Sequence, residues 1–409
     1  MKVKTKKRVA IFHCGFIYTG GGERIVLEEI SGLRALGWDV DCFVPNYDKD
    51  LSYPDIIEKY KIKTFLPQLP KSYPLRFAAQ MIASCLAAPF LAPKFTKYDI
   101  ILGANQPGAY IAWVVAKILG KPYFVYLNQP NRVLYPRDHE NWQNVFDYYI
   151  LNKLINKFLK PAVIFLDQHS IKGGEAIFIN GGFVAKEIMK DYGIKEWVDC
   201  AGGACAVSKK AVLKDRFKGQ VRVNGHTPQK PYLLFTSRHE PWKRFDLAIE
   251  VMAKVLEKYP DIRLVIPGAE TTITPKLKDL AEKLDIADRV IFTGPITQKN
   301  LWTLYKNAAV YIFTSPREDL GIVVQEAQAA GVPVVAWKKG GPTVTVVNGK
   351  TGYLIKPFDQ KKMAEKIIYL LENPKVRNKM GQNARKHILE NFSWKKHVSI
   401  LAKAFEEAV

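Results

Sequence analysis

Short apolar runs recur along the whole chain with helix-patterned segments between them, and nothing else in the sequence restricts its fold as tightly. In the first half the runs are Val9–His13, Asp39–Val44, Ile100–Gly103, Tyr123–Leu127 and Ala176–Ile179. Tyr232–Ser237, Arg263–Pro267, Arg289–Thr293, Ala309–Thr314 and Val332–Ala336 repeat the arrangement in the second. Strands that read as apolar runs are covered on both faces, and strands alternating with helices build parallel sheets. Glu23–Leu36, Ala109–Leu119 and Phe146–Leu159 predict the clearest helices of the first half; Asp359–Leu371, Lys375–Glu390 and Ser393–Glu407 predict a helical close. Over residues 209–230 the periodicity gives way to a basic stretch with glycine and proline, which reads as a linker. The expected organisation is α/β: doubly wound Rossmann-like domains over residues 1–208 and 231–391, and a last helical segment over 392–409. A chain of 409 residues exceeds one ordinary core, in keeping with two domains.

Composition narrows the class further. Five cysteines, odd in number and without a C-x-x-C pair, suggest neither a disulfide framework nor a zinc site. They fit a reducing, cytoplasmic compartment. Met1–Arg8 is basic, but the apolar run behind it stops at His13-Cys14-Gly15, as a first strand does and a signal peptide does not. Phe77–Pro93 is a long uncharged stretch that falls short of the ~20 apolar residues of a membrane span. It predicts a buried helix or, alternatively, one seated at a bilayer surface. The net charge of +22 is the compositional outlier. Its lysines are dispersed, with no basic cluster interleaved with aromatics, so nucleic acid is not an expected partner. An anionic membrane surface is, which would make the protein peripheral on the cytoplasmic face of the membrane. A solvated basic face without a partner is the alternative.

Chemistry concentrates at strand ends. After the run Val310–Thr314 comes Arg317-Glu318-Asp319-Leu320-Gly321-Ile322-Val323-Val324-Gln325-Glu326, leading into an alanine-rich helix. Two glutamates eight apart straddle this turn, with Gly321 where the backbone approaches a ligand most closely. A helix starting there offers unpaired amides and a positive dipole end to phosphate, and carboxylates suit sugar diols. Arg238 and Lys243 follow the first strand of the second half and could clamp a diphosphate, or stand as solvated loop cations. Gly15 and the Gly20-Gly21-Gly22 run follow the first strand of the chain, but the G-x-G-x-x-G spacing and the acidic second-strand end are absent, so a dinucleotide cofactor is disfavoured. Asp39-Val40-Asp41 matches D-x-D by composition at the start of a strand, and the histidines form no metal-binding motif.

Together, R-x4-K (Arg238, Lys243) and E-x7-E (Glu318, Glu326) resemble the donor site of retaining, nucleotide-sugar-dependent glycosyltransferases of family four (group 1). The resemblance implies the GT-B architecture, two Rossmann-like domains facing across a cleft, with the last helix returning to the N-terminal domain. It implies that Arg238 and Lys243 hold the donor pyrophosphate, Glu318 the transferred sugar and Glu326 the ribose diol. Amides of Leu320, Gly321, Ile322 and Val323 would cap the phosphates, Gly294 would lie near the base, and Gly15, Gly21 and Gly22 would line the cleft opposite. Tyr126–Tyr135 resembles a loop of mannosyltransferases that build lipid-linked glycans, which implies acceptor-side roles for Asn128 at a sugar hydroxyl and Arg132 at a phosphate. That family has a histidine at the place of Asn128 and a glutamate at the place of Val344. The expectation is retaining, metal-independent transfer of a hexose, mannose from GDP-mannose, to a lipid-linked or other envelope glycan, with no cofactor. A nucleotide-sugar 2-epimerase and a catalytically silent nucleotide-sugar-binding partner protein are the alternatives.

Overall fold

The computed structural model describes residues 7–73, 75–135, 159–203 and 231–409. The sequence-predicted linker and nearly all of the Phe146–Leu159 helix lie outside the described residues. The chain divides into two compact units, one of Met1–Ala201 with Trp394–Val409 and one of Gly202–Ser393.

In the first unit the strands are β1 (Arg8–His13), β2 (Gly15–Phe16), β3 (Asp39–Val44), β4 (Asn46–Tyr47), β5 (Lys63–Thr64), β6 (Ile100–Ala104), β7 (Tyr123–Leu127), β8 (Ile177–Ile179) and β9 (Val198–Asp199). Its helices are α1 (Gly21–Ala35), α2 (Arg76–Leu91), α3 (Gly108–Leu119), α4 (Lys160–Lys172) and α5 (Gly182–Tyr192). Seven strands form a parallel sheet in the order β5-β3-β1-β6-β7-β8-β9. The order reverses between β1 and β6, and doubly wound folds bind ligands beyond the strand C-termini at such a point.

The second unit repeats the design with β10 (Tyr232–Leu234), β11 (Arg263–Pro267), β12 (Val290–Gly294), β13 (Val310–Phe313), β14 (Val334–Trp337) and β15 (Gly352–Ile355). These pair in parallel in the order β12-β11-β10-β13-β14-β15, with the reversal between β10 and β13. Its helices are α6 (Phe245–Leu256), α7 (Thr274–Lys283), α8 (Gln298–Asn307), α9 (Ile322–Ala329), α10 (Pro342–Thr345), α11 (Gln360–Glu372) and α12 (Pro374–Asn391). Leu233, Val265, Ile312 and Val335 are fully buried, as expected of strands covered on both faces. The edge strand β15 gives no strong strand signal, because its four residues are bracketed by Asn348–Gly349 and the Pro357–Phe358 turn.

The last helix, α13 (Trp394–Glu407), belongs to the first unit and packs on α1. Gly32 makes room for it, since a Cβ there would fall on the Val398 side chain. Phe405 stacks edge-on with Trp38 at 5.9 Å between ring centroids. Beneath them His397 Nδ1 donates to Cys200 O at 2.7 Å, and its Nε2 lies 3.2 Å from Glu29 Oε1, with both side chains fully buried. Burial alone would lower the ring's pKa; Cys200 and Glu29 outweigh it and raise it to about 10. A sealed imidazolium–carboxylate pair therefore fastens α13 to α1.

Two sequence expectations resolve here. Asp39 and Asp41 do not converge on a shared site: Asp39 pairs with Arg8 at 3.3 Å, while Asp41 pairs with Lys63 at 2.8 Å and accepts from Tyr98 Oη at 2.6 Å. The Phe77–Pro93 stretch forms most of α2, and the helix is half-buried rather than enclosed.

Because His397 has its folded pKa above its unfolded value, the pair contributes stability fully below about pH 6.5 and loses it as pH rises through about 10. Urea unfolding at stepped pH should show stability falling across that window. Glu29→Ala, which leaves a buried cation alone, should cost about 3–5 kcal/mol near neutral pH. A flat alkaline profile would remove the ion pair from the account.

Candidate functional site

The reversal between β10 and β13 places two loops side by side at the C-terminal edge of the second sheet. The loop after β10 runs through Arg238 to a single 3-10 turn, Pro241–Lys243, closed by Arg244 in the left-handed region (φ 56°). Hydroxyls at the end of β13 hold it: Ser315 Oγ donates to Trp242 O at 3.1 Å and Thr314 Oγ1 to Arg244 O at 2.7 Å. So anchored, Lys243 Nζ reaches Glu318 Oε2 at 2.5 Å, each side chain 18% exposed. Arg238 turns to Glu240 at 3.2 Å. The buried His239 between loop and core donates or accepts at Thr274 Oγ1, and burial lowers its pKa, so the ring is neutral packing rather than a third cation.

Gly321 (φ 80°) turns the chain into α9. The helix ladder begins with Val324 and Gln325 bonding back to Gly321 O, which leaves the amides of Ile322 and Val323 ahead of it at the positive end of the dipole. One turn on, Glu326 Oε2 accepts from Tyr305 Oη at 3.0 Å. That phenol also contacts Thr236 Oγ1 at 2.7 Å, and Thr236 Oγ1 lies 3.0 Å from Tyr311 Oη. Burial first, then Glu326, raises the Tyr305 pKa well above the usual range, so it stays a donor and fixes the carboxylate. Thr236, Tyr305 and Tyr311 carry no local sequence signal, because their hydrogen bonds join segments 21 to 75 residues apart.

The loop after β14 closes over this turn. Gly341 N donates to Glu318 O at 2.7 Å, a Cβ on Gly340 would stand 2.5 Å from Glu318 O, and one on Gly341 would fall on the Leu320 carbonyl. Leu320 is itself buried. Val344 follows in α10. Gly268, at the end of β11, likewise lets the chain pass under Ser237 O, and its amide donates to Gly294 O at 3.1 Å. The structure thus brings Lys243, Glu318, Leu320, Gly321, Ile322, Val323 and Glu326 to one sheet edge, with Arg238 earlier in the β10 loop and Gly294 at the end of β12, two strands from β10.

In the first unit the corresponding reversal gathers a second group. Gly21 and Gly22 open α1 itself instead of preceding it, correcting the expected glycine loop: two glycines can stand in a first turn, where the helix ladder does not yet need side chains. A Cβ on Gly22 would lie 3.1 Å from Asn128 Nδ2. The Asn128 amide N donates to Asn105 Oδ1 at 2.9 Å, while both of its side-chain polar atoms are buried without a partner among the described residues. Gly15 pairs with Asn46 through the short β2–β4 ladder. Arg132 is 6% exposed and its guanidinium donates to Glu187 Oε2 at 2.9 Å, which braces its loop on α5. His13, Cys14 and Glu23 have ligand-type atoms within 4.8 Å of one another. Burial works to lower the His13 pKa, but Cys14 and Glu23 raise it well above the usual value. His13 Nε2 lies 3.9 Å from Glu23 Oε1, with both side chains buried.

Residues 19–198 match the family model described as Glycosyltransferase Family 4, and residues 217–387 that of Glycosyl transferases group 1. The D-inositol 3-phosphate glycosyltransferase of Streptomyces avermitilis is 30% identical over 257 residues, 59% of this chain and 54% of that protein. The trehalose synthase of Thermococcus litoralis is 34% identical over 179 residues, 42% of this chain and 43% of that one. The chain spans about half the length of the curated relatives it matches. Among solved structures, Anabaena HepE in complex with UDP and glucose superposes with a TM-score of 0.70 at 17% identity, covering 98% of this chain and 100% of that one. The sucrose-phosphate synthase of Thermosynechococcus elongatus gives 0.72 at 18% identity, with 98% and 99% covered. At these identities the likeness establishes the fold, two Rossmann-like domains of GT-B type.

If Gly341 pins the 318–321 turn, Gly341→Ala should overpack it at a cost of about 1–3 kcal/mol. Urea unfolding of the variant measures this; stability equal to wild type would show that the turn is not held from that side.

Proposed function

Since its first domain matches the Glycosyltransferase Family 4 model and its second the Glycosyl transferases group 1 model, we propose that this chain is a glycosyltransferase that moves a hexose from a nucleoside-diphosphate sugar to a glycan hydroxyl with retention. The observation that carries the reading is the convergence at the second sheet's edge of Lys243, Glu318, the α9 amides and Glu326. A diphosphate needs cations and amides; a ribose and a hexose need fixed carboxylates. All stand within one reversal of strand order.

Lys243, Arg238 and the amides of Ile322 and Val323 receive the negative charge that grows on the diphosphate as the anomeric carbon–oxygen bond breaks. They take the part a bound cation would otherwise fill, so transfer proceeds without metal. Glu326, held by Tyr305, accepts from the ribose diol, and Glu318 from the hexose. The acceptor oxygen forms its bond on the face the diphosphate leaves, and its proton passes to the departing phosphate oxygen. Asn128, with unmet hydrogen-bonding capacity beside Gly22, contacts an acceptor hydroxyl. A lipid-linked glycan as acceptor and GDP-mannose as donor are the finer reading, supported by the Tyr126–Tyr135 loop. UDP and UDP-glucose are bound in structural neighbours and form the competing donor arm.

Calorimetric titration with GDP-mannose, UDP-glucose and the free diphosphates, followed by product analysis with glycan acceptors, tests the proposal. Binding followed by transfer is expected. Interconversion of the sugar at C2 would show an epimerase, and binding without turnover a silent partner protein. Glu326→Ala should weaken donor binding by about 1–3 kcal/mol, and Tyr305→Phe by less, since it loosens the carboxylate without deleting it. Lys243→Ala should depress kcat more than donor affinity if the ammonium serves the developing charge. Equal effects on kcat and on donor affinity would assign Lys243 to ground-state binding alone.

A further inference from the structure

Helix α2 is built inside out for a helix that faces water. It buries Gln80, at 3% exposure, and Ser84, at 0%, against the first unit, and exposes Ile82 at 45%, Leu86 at 69% and Phe90 at 84%. Gln80 is bonded on that side: its Nε2 donates to Pro67 O at 2.9 Å and its Oε1 accepts from Leu69 N at 3.3 Å. The exposed residues are four apart, so they form one stripe along the outward face. Helix α3 packs against both α2 and α4, and Ile118 on α3 and Phe165 on α4 are exposed as well. Among the described residues nothing covers this face.

Charge says what does. From Lys59 to Lys121, Asp99 is the single acidic residue against nine lysines and arginines. Lys94 and Lys97, immediately beyond α2, and Lys117 on α3 are exposed. A second copy of this chain docked symmetrically would set this basic rim against itself, whereas an anionic lipid surface complements both rim and stripe. The helix has 16 residues, about 24 Å at 1.5 Å per residue, and no described helix is long and apolar enough to cross a membrane.

We propose that α2 docks the first unit on an anionic lipid bilayer, lying in the interface plane with Ile82, Leu86 and Phe90 among the acyl chains and Lys94, Lys97 and Lys117 at the lipid phosphates. The inference stands on the first unit alone and does not depend on the donor reading.

Flotation of the purified chain with vesicles of phosphatidylcholine containing phosphatidylglycerol, and with phosphatidylcholine alone, tests it. Wild type should float with the anionic vesicles and weakly with the neutral ones. Leu86→Ser/Phe90→Ser should lower partitioning by about tenfold, with unchanged melting temperature and unchanged nucleotide-sugar binding. Wild type that ignores anionic vesicles would overturn the proposal, as would a double variant that floats equally well. A wild-type dimer that the double variant converts to a monomer would overturn it too, assigning the face to a second copy. Loss of the transferase reading, by contrast, would appear in the titrations and leave the flotation result standing.

Discussion

Parallel pairing is the constraint from which the rest of this protein follows. Parallel strands cannot be joined by a tight turn, so each must be re-entered from the same end through a crossover. Every strand C-terminus then lies on one edge, with the helix N-termini that follow. Where the strand order reverses, two adjacent crossovers go to opposite faces and leave a gap at that edge. In the second unit the gap lies between β10 and β13, and Lys243 and Glu318, 75 residues apart in sequence, meet across it.

How far the sequence discloses this depends on whether a feature is periodic or depends on contacts between distant segments. The strand runs, the E-x7-E segment and R-x4-K are local patterns, and their elements fall within a few residues of expectation. Glu29 and His397 carry no such signal: each is a polar residue in an amphipathic helix, and what makes them matter is a contact spanning 368 positions. Tyr305, Gly268 and Gly341 were hidden for the same reason, since a phenol aimed at Glu326 or a missing Cβ above Leu320 has meaning only in three dimensions. Helix α2 is the intermediate case. Its uncharged stretch was visible, but which face turned outward was decided by Gln80 bonding to the Pro67–Leu69 loop.

The charged pairs show how one chemistry serves opposite ends. Glu29–His397 is sealed, so neither partner can exchange with solvent, and separating them would strand a charge in a low-dielectric interior. Lys243–Glu318 is shorter, at 2.5 Å against 3.2 Å, but partly open to solvent, and a polyanion arriving at the α9 amides can compete for the ammonium. The first pair therefore belongs to the architecture, while the second can rearrange at little cost.

Because α13 returns to the first unit after the second is complete, the second unit is an insertion in the first, and the first is discontinuous in sequence. As the chain leaves the ribosome, the second unit has all of its strands and helices before the first has its last helix. Until residues 394–407 emerge, α1 presents Glu29, Gly32 and the surface awaiting Phe405 without their cover. The earlier-made half is therefore the later to be completed.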